Sequence, residues 1–468
     1  MTQTALCYLT IREASTLLHS RELSPVELTR AFLERISQLD DTLQAYITVL
    51  PERAMAAART AEAEILRGDY RGPLHGIPIA LKDLYDTQGI RTTASSRVMA
   101  DRIPTADATT TARLEAAGAI LLGKLAMHEF ALGGPDPSNG FPLARNPWNP
   151  DYIPGGSSSG SGTAIAAGLC MGSLGSCTGG SIRGPAAYCS IVGLKATYGR
   201  VSRYGVVPLS WSLDHCGPMT WTVADSALML QAIAGYDPKD PTSSQAPVPD
   251  YTTALRQEVA GVTIGVPRHF FFADDPQIDR DTLSLVDRAL TDLEALGARI
   301  ETVTIPSLAY SGAAQPVIML SEAFAYHEHN LRRRPEAFGD MVRARFRTGG
   351  LFTSSDYVQA QRVRNVLKRE CAEVLQRVDV LVSPTMSSPA PSFASVDVMT
   401  TARRPSFTGP YNLTGMPAIS VPCGFTPSGL PVGLQIAGKP FDEPTVLRVA
   451  HTYEQQARWF EHRPALPV

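Results

Sequence analysis

Between Asp151 and Arg183 the chain carries no charged residue, and 16 of the 31 positions from Tyr152 to Ile182 are glycine or serine. The run is long enough to cross a bilayer, yet so much Gly and Ser is too polar and too helix-breaking for a lipid-facing helix of ~20 residues. No membrane span is expected. What remains is a pair of glycine–serine loops, 154–162 and 178–185, with a small-residue helix and a short strand between them. Charge elsewhere argues against a nucleic-acid partner: 42 Lys and Arg stand against 45 Asp and Glu, a net of -3, with no basic block beyond Arg332–Arg334. Seven scattered cysteines without a CxxC pair indicate neither a disulfide framework nor a zinc ribbon. Arg12 and Glu13 interrupt any apolar leader, so a cytoplasmic protein is expected.

The 468 residues read as one large α/β domain, 1–468. Residues 1–70 are helical by pattern, with Ser24, Pro25 and Glu27 as N-cap, first-turn proline and capping-box partner, and an Ala-rich helix from Glu52 to Leu66. From 71 to 220, short apolar runs bounded by glycine (76–83, 119–123, 190–194) alternate with helical segments near 107–117, 163–171 and 223–234. Such runs fit strands buried on both faces, and the alternation predicts a large mixed, mostly parallel twisted sheet covered by helices on both faces. Residues 237–250 form a connector, 262–306 a βαβ unit, and 321–376 a helical, Arg-rich segment. A strand at 378–385, a loop at 386–405, two strands joined by a turn and a helix at 444–459 complete the chain.

Two motif matches fail on context. "GAILLGKL" (118–125) has the outline of a phosphate loop, but Leu125 stands where a Ser or Thr is needed and the interior is apolar enough for a strand. "GSSSG" (156–160) would make Ser158 an elbow nucleophile, yet the residues before it supply no strand. The nine histidines share no motif, and His327 and His329 fall on different helix faces, so no metal and no cofactor is expected. Lysine is scarcer, with six in the chain, and Lys82 follows the apolar run "GIPIAL". Burial there would lower its pKa and leave an amine able to accept a proton, although Asp83 could simply pair with it. The two loops add consecutive hydroxyls and glycines that let backbone N–H groups converge on one point, as stabilising an acyl oxyanion requires.

Taken together, "GIPIALKD", "NPWNPDYIPGGSSSGSG", "GGSIRGPAAYCSIVGLKATYGRVS", "SLDHCGPMT" and "YNLTGMPAISVPCGFTPSGLPVGLQIAGKPFDE" resemble the amidase signature family of serine hydrolases over the whole chain. The 24 residues separating Ser157 from Ser181 match that family's spacing. The resemblance implies a Ser-cisSer-Lys triad in which Lys82 is the base, Ser157 a bridging serine after a cis Gly156–Ser157 bond, and Ser181 the nucleophile. It also implies an oxyanion hole from Thr178, Gly179, Gly180 and Ser181, and a substrate pocket near the backbone of Ala131, Leu132 and Gly133. Three positions depart from the commonest family pattern: Ser159 for glycine, Cys177 for aspartate and Leu84 for asparagine.

Within the family the chain is similar to free-standing bacterial amidases and to the A subunits of glutamine-dependent amidotransferases. An acid before the "T-x-P-x-N-L" segment is expected in the latter, and "TARRPSF" (401–407) has none, which favours a free-standing amidase. Phe324, Phe338, Phe346, Phe352 and Tyr357 offer aromatic walls for a small aryl, alkyl or xenobiotic amide. The expected partner is that small-molecule amide, the expected assembly a homodimer, and a non-catalytic scaffold the alternative of another class. Because the uncharged run surrounds a lysine that must stay neutral, an acid introduced at Ser158 or Ser176 is expected to raise the Lys82 pKa and reduce activity at neutral pH. Unchanged pH–rate profiles for Ser176→Asp would reduce the absence of charge to a packing matter.

Overall fold

The computed structural model describes residues 3–256, 258–397 and 405–466. Eleven strands form one sheet: β1 (Tyr46–Val49), β2 (Pro78–Lys82), β3 (Ile120–Leu125), β4 (Gly172–Cys177), β5 (Val192–Lys195), β6 (His215–Thr220), β7 (Thr263–Val266), β8 (Arg299–Thr302), β9 (Val380–Pro384), β10 (Ala418–Phe425) and β11 (Pro431–Gly438). Their order is β1-β3-β2-β4-β6-β5-β10-β11-β9-β7-β8. Strands β2 to β6 are buried at every position, as continuous apolar runs require, whereas the edge strand β8 is largely exposed. The phosphate-loop look-alike at 118–125 folds as β3, and the βαβ unit forms from β7, the helix Arg280–Ala295 and β8.

The sheet is mixed, as expected, but it is not mostly parallel. Only β2–β3, β2–β4, β7–β8 and β7–β9 are parallel; the other six neighbour pairs, including the whole stretch from β4 to β9, are antiparallel. Glycine-bounded apolar runs report burial on both faces, and a central antiparallel strand covered on both faces satisfies that pattern equally well.

Helices cover both faces, as successive positions on single strands demonstrate. A Cβ at Gly433 of β11 would lie 2.6 Å from Ala187 Cβ in the helix Arg183–Cys189, while one at Gly438 would lie 2.5 Å from Val446 in the helix Glu443–Ala457. Five residues apart on a strand, these positions point to opposite sides. On β4, Gly172 faces Met229 of the helix Val223–Ile233, and Gly175 faces Ile182 and Ser158. The face that carries Ser158 and the helix Arg183–Cys189 is the one that holds the candidate site.

One boundary and one cap differ from expectation. The helix predicted from 321 begins at Leu308 and runs to Arg333 with Pro316 inside it, a residue that ordinarily interrupts helical hydrogen bonding. Ser24 caps its helix by accepting from the N–H groups of Val26 and Glu27, but its hydroxyl donates to Glu62 in place of a capping box with Glu27. Part of the predicted 386–405 loop, residues 398–404, lies outside the described residues. All seven cysteines are buried and unpaired, and among the described residues no helix is long and apolar enough to cross a membrane.

Gly433→Ala is expected to cost about 1–3 kcal/mol, because the added methyl meets Ala187 and Ser420 Oγ at 2.6–2.7 Å in a filled interior. Gly312→Ala, on an exposed helical position with open space around it, should stabilise by up to ~1 kcal/mol. Melting scans of the two variants should move in opposite directions.

Candidate active site

Strand β2 ends at Lys82, which is fully buried. Its Nζ donates to Ser157 Oγ (2.8 Å) and to Ser176 Oγ (2.8 Å). Burial lowers its pKa from the usual 10.5 to about 7, against weaker upward pulls from Cys177, Asp214 and Cys216. Asp83 does not pair with it. That carboxylate accepts from the Thr93 N–H (2.9 Å) and hydroxyl (2.5 Å) and lies 3.5 Å from the equally buried Lys124. The strand therefore delivers its lysine to hydroxyls and its next residue to a different cation.

Ser157 follows a cis Gly156–Ser157 bond. Its carbonyl accepts from the His128 N–H (3.0 Å), and the His128 ring fills the space a side chain at 156 would need, 2.0 Å from such a Cβ. Burial, and then the neighbouring Lys82, lower His128 to about 4, so the ring is neutral; Nδ1 donates to the Gly133 carbonyl at 3.1 Å. Ser158 sits at the N-cap of the helix Ser159–Ala166 with its hydroxyl turned to the Ser176 carbonyl (3.4 Å), and no strand precedes it.

The second loop leaves β4 at Cys177 and enters the helix Arg183–Cys189. Thr178 Oγ1 donates to Asp214 (2.6 Å), and the Gly179 carbonyl accepts from Thr408 Oγ1 (2.6 Å). Gly180 has φ +136°, and a Cβ there would sit 2.1 Å from Thr408 Oγ1, so glycine is required twice over. Ser181 is half-buried just before the helix. Among the described residues the N–H groups of Gly179, Gly180 and Ser181 donate to no protein acceptor, which leaves three donors grouped beside one hydroxyl.

Two cavities meet this arrangement. One, of about 190 Å³, is lined by Gly155 and Gly156 from the first loop, Gly179 and Gly184 from the second, and Gly133 and Thr408. The other, of about 510 Å³, reaches Ser176 and Asp214 and includes Ala131, Trp211 and Tyr326. Of the three expected pocket positions, Gly133 lines the first and Ala131 the second, whereas Leu132 is buried and lines neither. The expected aromatic wall is overturned. Phe338 and Phe346 are fully buried around Phe130 and His327, Phe324 covers Gly350, and Phe352 and Tyr357 pack on the core, Tyr357 donating to Glu322. Amphipathic spacing on a helix marks its core face and cannot tell core from cavity. Aromatics that do line cavities are Tyr188, Phe407, Tyr204, Trp211 and Tyr326.

His327 is buried and His329 exposed, as their spacing predicts. The pair of arginines expected before Thr408, Arg403 and Arg404, lies outside the described residues. Sequence reasoning misses His128 and Thr408. It expects Ser176 to lie near Lys82 but not to contact it; the contact follows from register, because β2 and β4 run parallel with Leu81 opposite Leu174, which brings the ends of both strands together.

A buried lysine on two serine hydroxyls, inside a glycine-loop site on a mixed sheet, defines a hydrolase of the serine–lysine type in layout. The family described as Amidase matches residues 27–447, and the chain belongs to the amidase family, whose members act on carbon–nitrogen bonds. It is 42% identical to the A subunit of a glutamyl-tRNA(Gln) amidotransferase from Moorella thermoacetica, covering 99% of each chain. The solved structure of the glutamyl-tRNA(Gln) amidotransferase A subunit from Thermotoga maritima superposes with a TM-score of 0.83 at 35% identity, over 96% of this chain and 95% of the other. A peptide amidase from Stenotrophomonas maltophilia gives 0.84 at 31%, over 98% of each.

Gly156→Ala is expected to displace either the Ser157 loop or the His128 ring and to slow labelling by a fluorophosphonate about 10²-fold, with far-UV circular dichroism unchanged. Adding His128→Ala, which empties the space, should recover part of that loss; equal rates for both variants would remove the ring as the constraint.

Proposed function

We propose that this chain is the amide-cleaving A subunit of a glutamine-dependent amidotransferase, working through an acyl-enzyme on Ser181. Support for the chemistry is the contact of fully buried Lys82 with Ser157 and, in the second glycine loop, the N–H groups of Gly179, Gly180 and Ser181, which among the described residues donate to no protein acceptor. Neutral Lys82 takes the Ser157 proton while Ser157 takes that of Ser181, whose oxygen attacks the amide carbonyl. The N–H groups of Thr178, Gly179, Gly180 and Ser181 hold the resulting oxyanion. Ser157 then returns a proton to the leaving ammonia and is reprotonated by the Lys82 ammonium. Water, deprotonated through the same relay, releases the acid.

The observation that carries the subunit reading is the 42% identity, end to end, to a protein named as the A subunit of an amidotransferase. It favours assembly with other subunits over a homodimer, and seven unpaired cysteines suit a reducing, cytoplasmic setting. A free-standing amidase is the second reading, favoured by the acid-free stretch Thr401–Phe407 and by the likeness to a peptide amidase.

Ammonia release from glutamine should require added partner subunits, and simple aryl amides should be poor substrates for the chain alone; efficient hydrolysis of an aryl or peptide amide by the pure chain selects the second reading. In either case Ser181→Ala should lower turnover by at least about 10⁴-fold, and a fluorophosphonate adduct should map to Ser181. An adduct on Ser158, or none, sinks the assignment. Because only the neutral amine accepts a proton, kcat/KM should rise with pH through about 7 and level off above it.

A further inference from the structure

Arg183 is the first charge after the uncharged run and is fully buried. Nη1 donates to Gln435 Oε1 (2.5 Å), and Nη2 reaches Asn412 Oδ1 (2.5 Å), the Thr408 carbonyl (3.1 Å) and Cys177 Sγ (3.5 Å), while Nε has no partner. Among the described residues no Asp or Glu forms an ion pair with it. A buried cation without a counter-ion costs several kcal/mol.

The ionisable groups packed around it leave one candidate. Lys195 of β5 and His215 of β6 are cationic types, and burial holds both well below their ordinary pKa values, so neither brings negative charge. Burial pushes the Tyr411 phenol up, which keeps it neutral. Glu443 accepts from the Thr197 N–H and lies 3.7 Å from Arg200, whose charge it balances. Asp214 is occupied by the Thr178 hydroxyl and the N–H groups of Leu209 and Ser210. The remaining acid is the thiol of Cys177, in direct contact with the guanidinium. Lys82 also feels it: a negative charge at 177 pulls the Lys82 pKa upward, but burial outweighs that pull and holds the lysine at about 7, while Arg183 offsets the charge at close range.

We propose that Cys177 is held as a thiolate, the counter-ion of Arg183, and that this pair positions the Thr178–Ser181 loop. Cys177 is a positioning residue: it precedes the loop, its carbonyl accepts from Asn412 Nδ2 (2.8 Å), and Arg183 ties the same strand end to Thr408, whose hydroxyl holds Gly179. Through Gln435 the guanidinium is anchored in β11. The bond a neutral thiol would make, to Asn412 Oδ1 at 3.6 Å, is long and shares its acceptor with Arg183 at 2.5 Å, whereas a thiolate accepts directly from Arg183 Nη2 at 3.5 Å. Burial alone would raise the Cys177 pKa, but the Arg183 charge and hydrogen bond turn the net shift downward. Cys7, Cys216 and Cys371 are pushed up to about 12 by the same burial, and Cys170, Cys189 and Cys423 are also raised. One cysteine of seven is thus singled out.

The positioning role rests on the reading of 178–181 as an oxyanion loop; the charge state does not, and it is read separately. Native full-length chain, titrated from about pH 5 to about pH 9 in the thiolate ultraviolet band with Cys177→Ser as blank, should carry the absorbance of one thiolate at neutral pH, with a midpoint below the usual ~8.5. Identical spectra for the two proteins near pH 7 overturn the ion pair whatever the enzyme's substrate proves to be. Cys177→Asp, which restores an anion, should keep kcat within about 3-fold, while Cys177→Asn, similar in shape and uncharged, should lower it at least about 10-fold with KM little changed. Equal turnover in the Asp and Asn variants overturns the positioning role, and the wild-type titration stands even if the Asn variant does not fold.

Discussion

The site depends on keeping one amine out of water. A lysine whose pKa falls from 10.5 to about 7 carries a desolvation cost on the order of 5 kcal/mol in its charged form. For a lysine with a depressed folded-state pKa, that cost is fully present below about pH 7 and is relieved as pH rises toward 10.5. Only a thick interior can hold such a group, and the sheet supplies it by placing β2 between β3 and β4, all three buried at every position. The stretch from Tyr152 to Ile182, which has no Asp, Glu, Lys or Arg, serves the same end, since a carboxylate there without a cation such as Arg183 to offset it would draw Lys82 back to its ammonium form.

Within that interior the loops are shaped from outside. His128 presses into the space beside Gly156, Gln315 into that beside Gly179, and Thr408 into that beside Gly180, each closer than any Cβ could tolerate. The glycines are places where neighbouring side chains come up against bare backbone, and the loops take their course from that contact. This is why residues far apart in the chain, at 128, 315 and 408, shape the loops that carry Ser157 and Ser181, two of the proposed chemical groups.

Legibility in the sequence follows from the range of each interaction. The strands at 78–82, 120–125 and 192–195 are readable because burial on both faces leaves an apolar run, and the βαβ unit because its two periods alternate. Strand direction is not, since the pattern of a buried strand is the same whichever way its neighbour runs. Lys82 and the two serine loops stand out by scarcity and composition, helped by the family resemblance. His128 and Thr408 act through space, and no local pattern marks them. The aromatic residues of 321–357 mislead because a helix shows its core face in the same code it would use for a cavity.

The other buried cations explain why Lys82 can do something they cannot. Lys195 donates to the carbonyls of Ala196 and Met416, and Lys124 to the Tyr85 carbonyl, to Thr92 Oγ1 and toward Asp83. Carbonyls accept and never return a proton, and the Thr92 hydroxyl spends its own on Ile90. Lys82 meets two serine hydroxyls, which accept from an ammonium and donate to an amine without moving, and among the described residues neither hydroxyl donates elsewhere. Burial is common to all three lysines; reversible proton exchange is open to one. The distinction lies in the partner atoms, and it is the Gly–Ser composition of the uncharged run that places hydroxyls there in preference to carbonyls or acids.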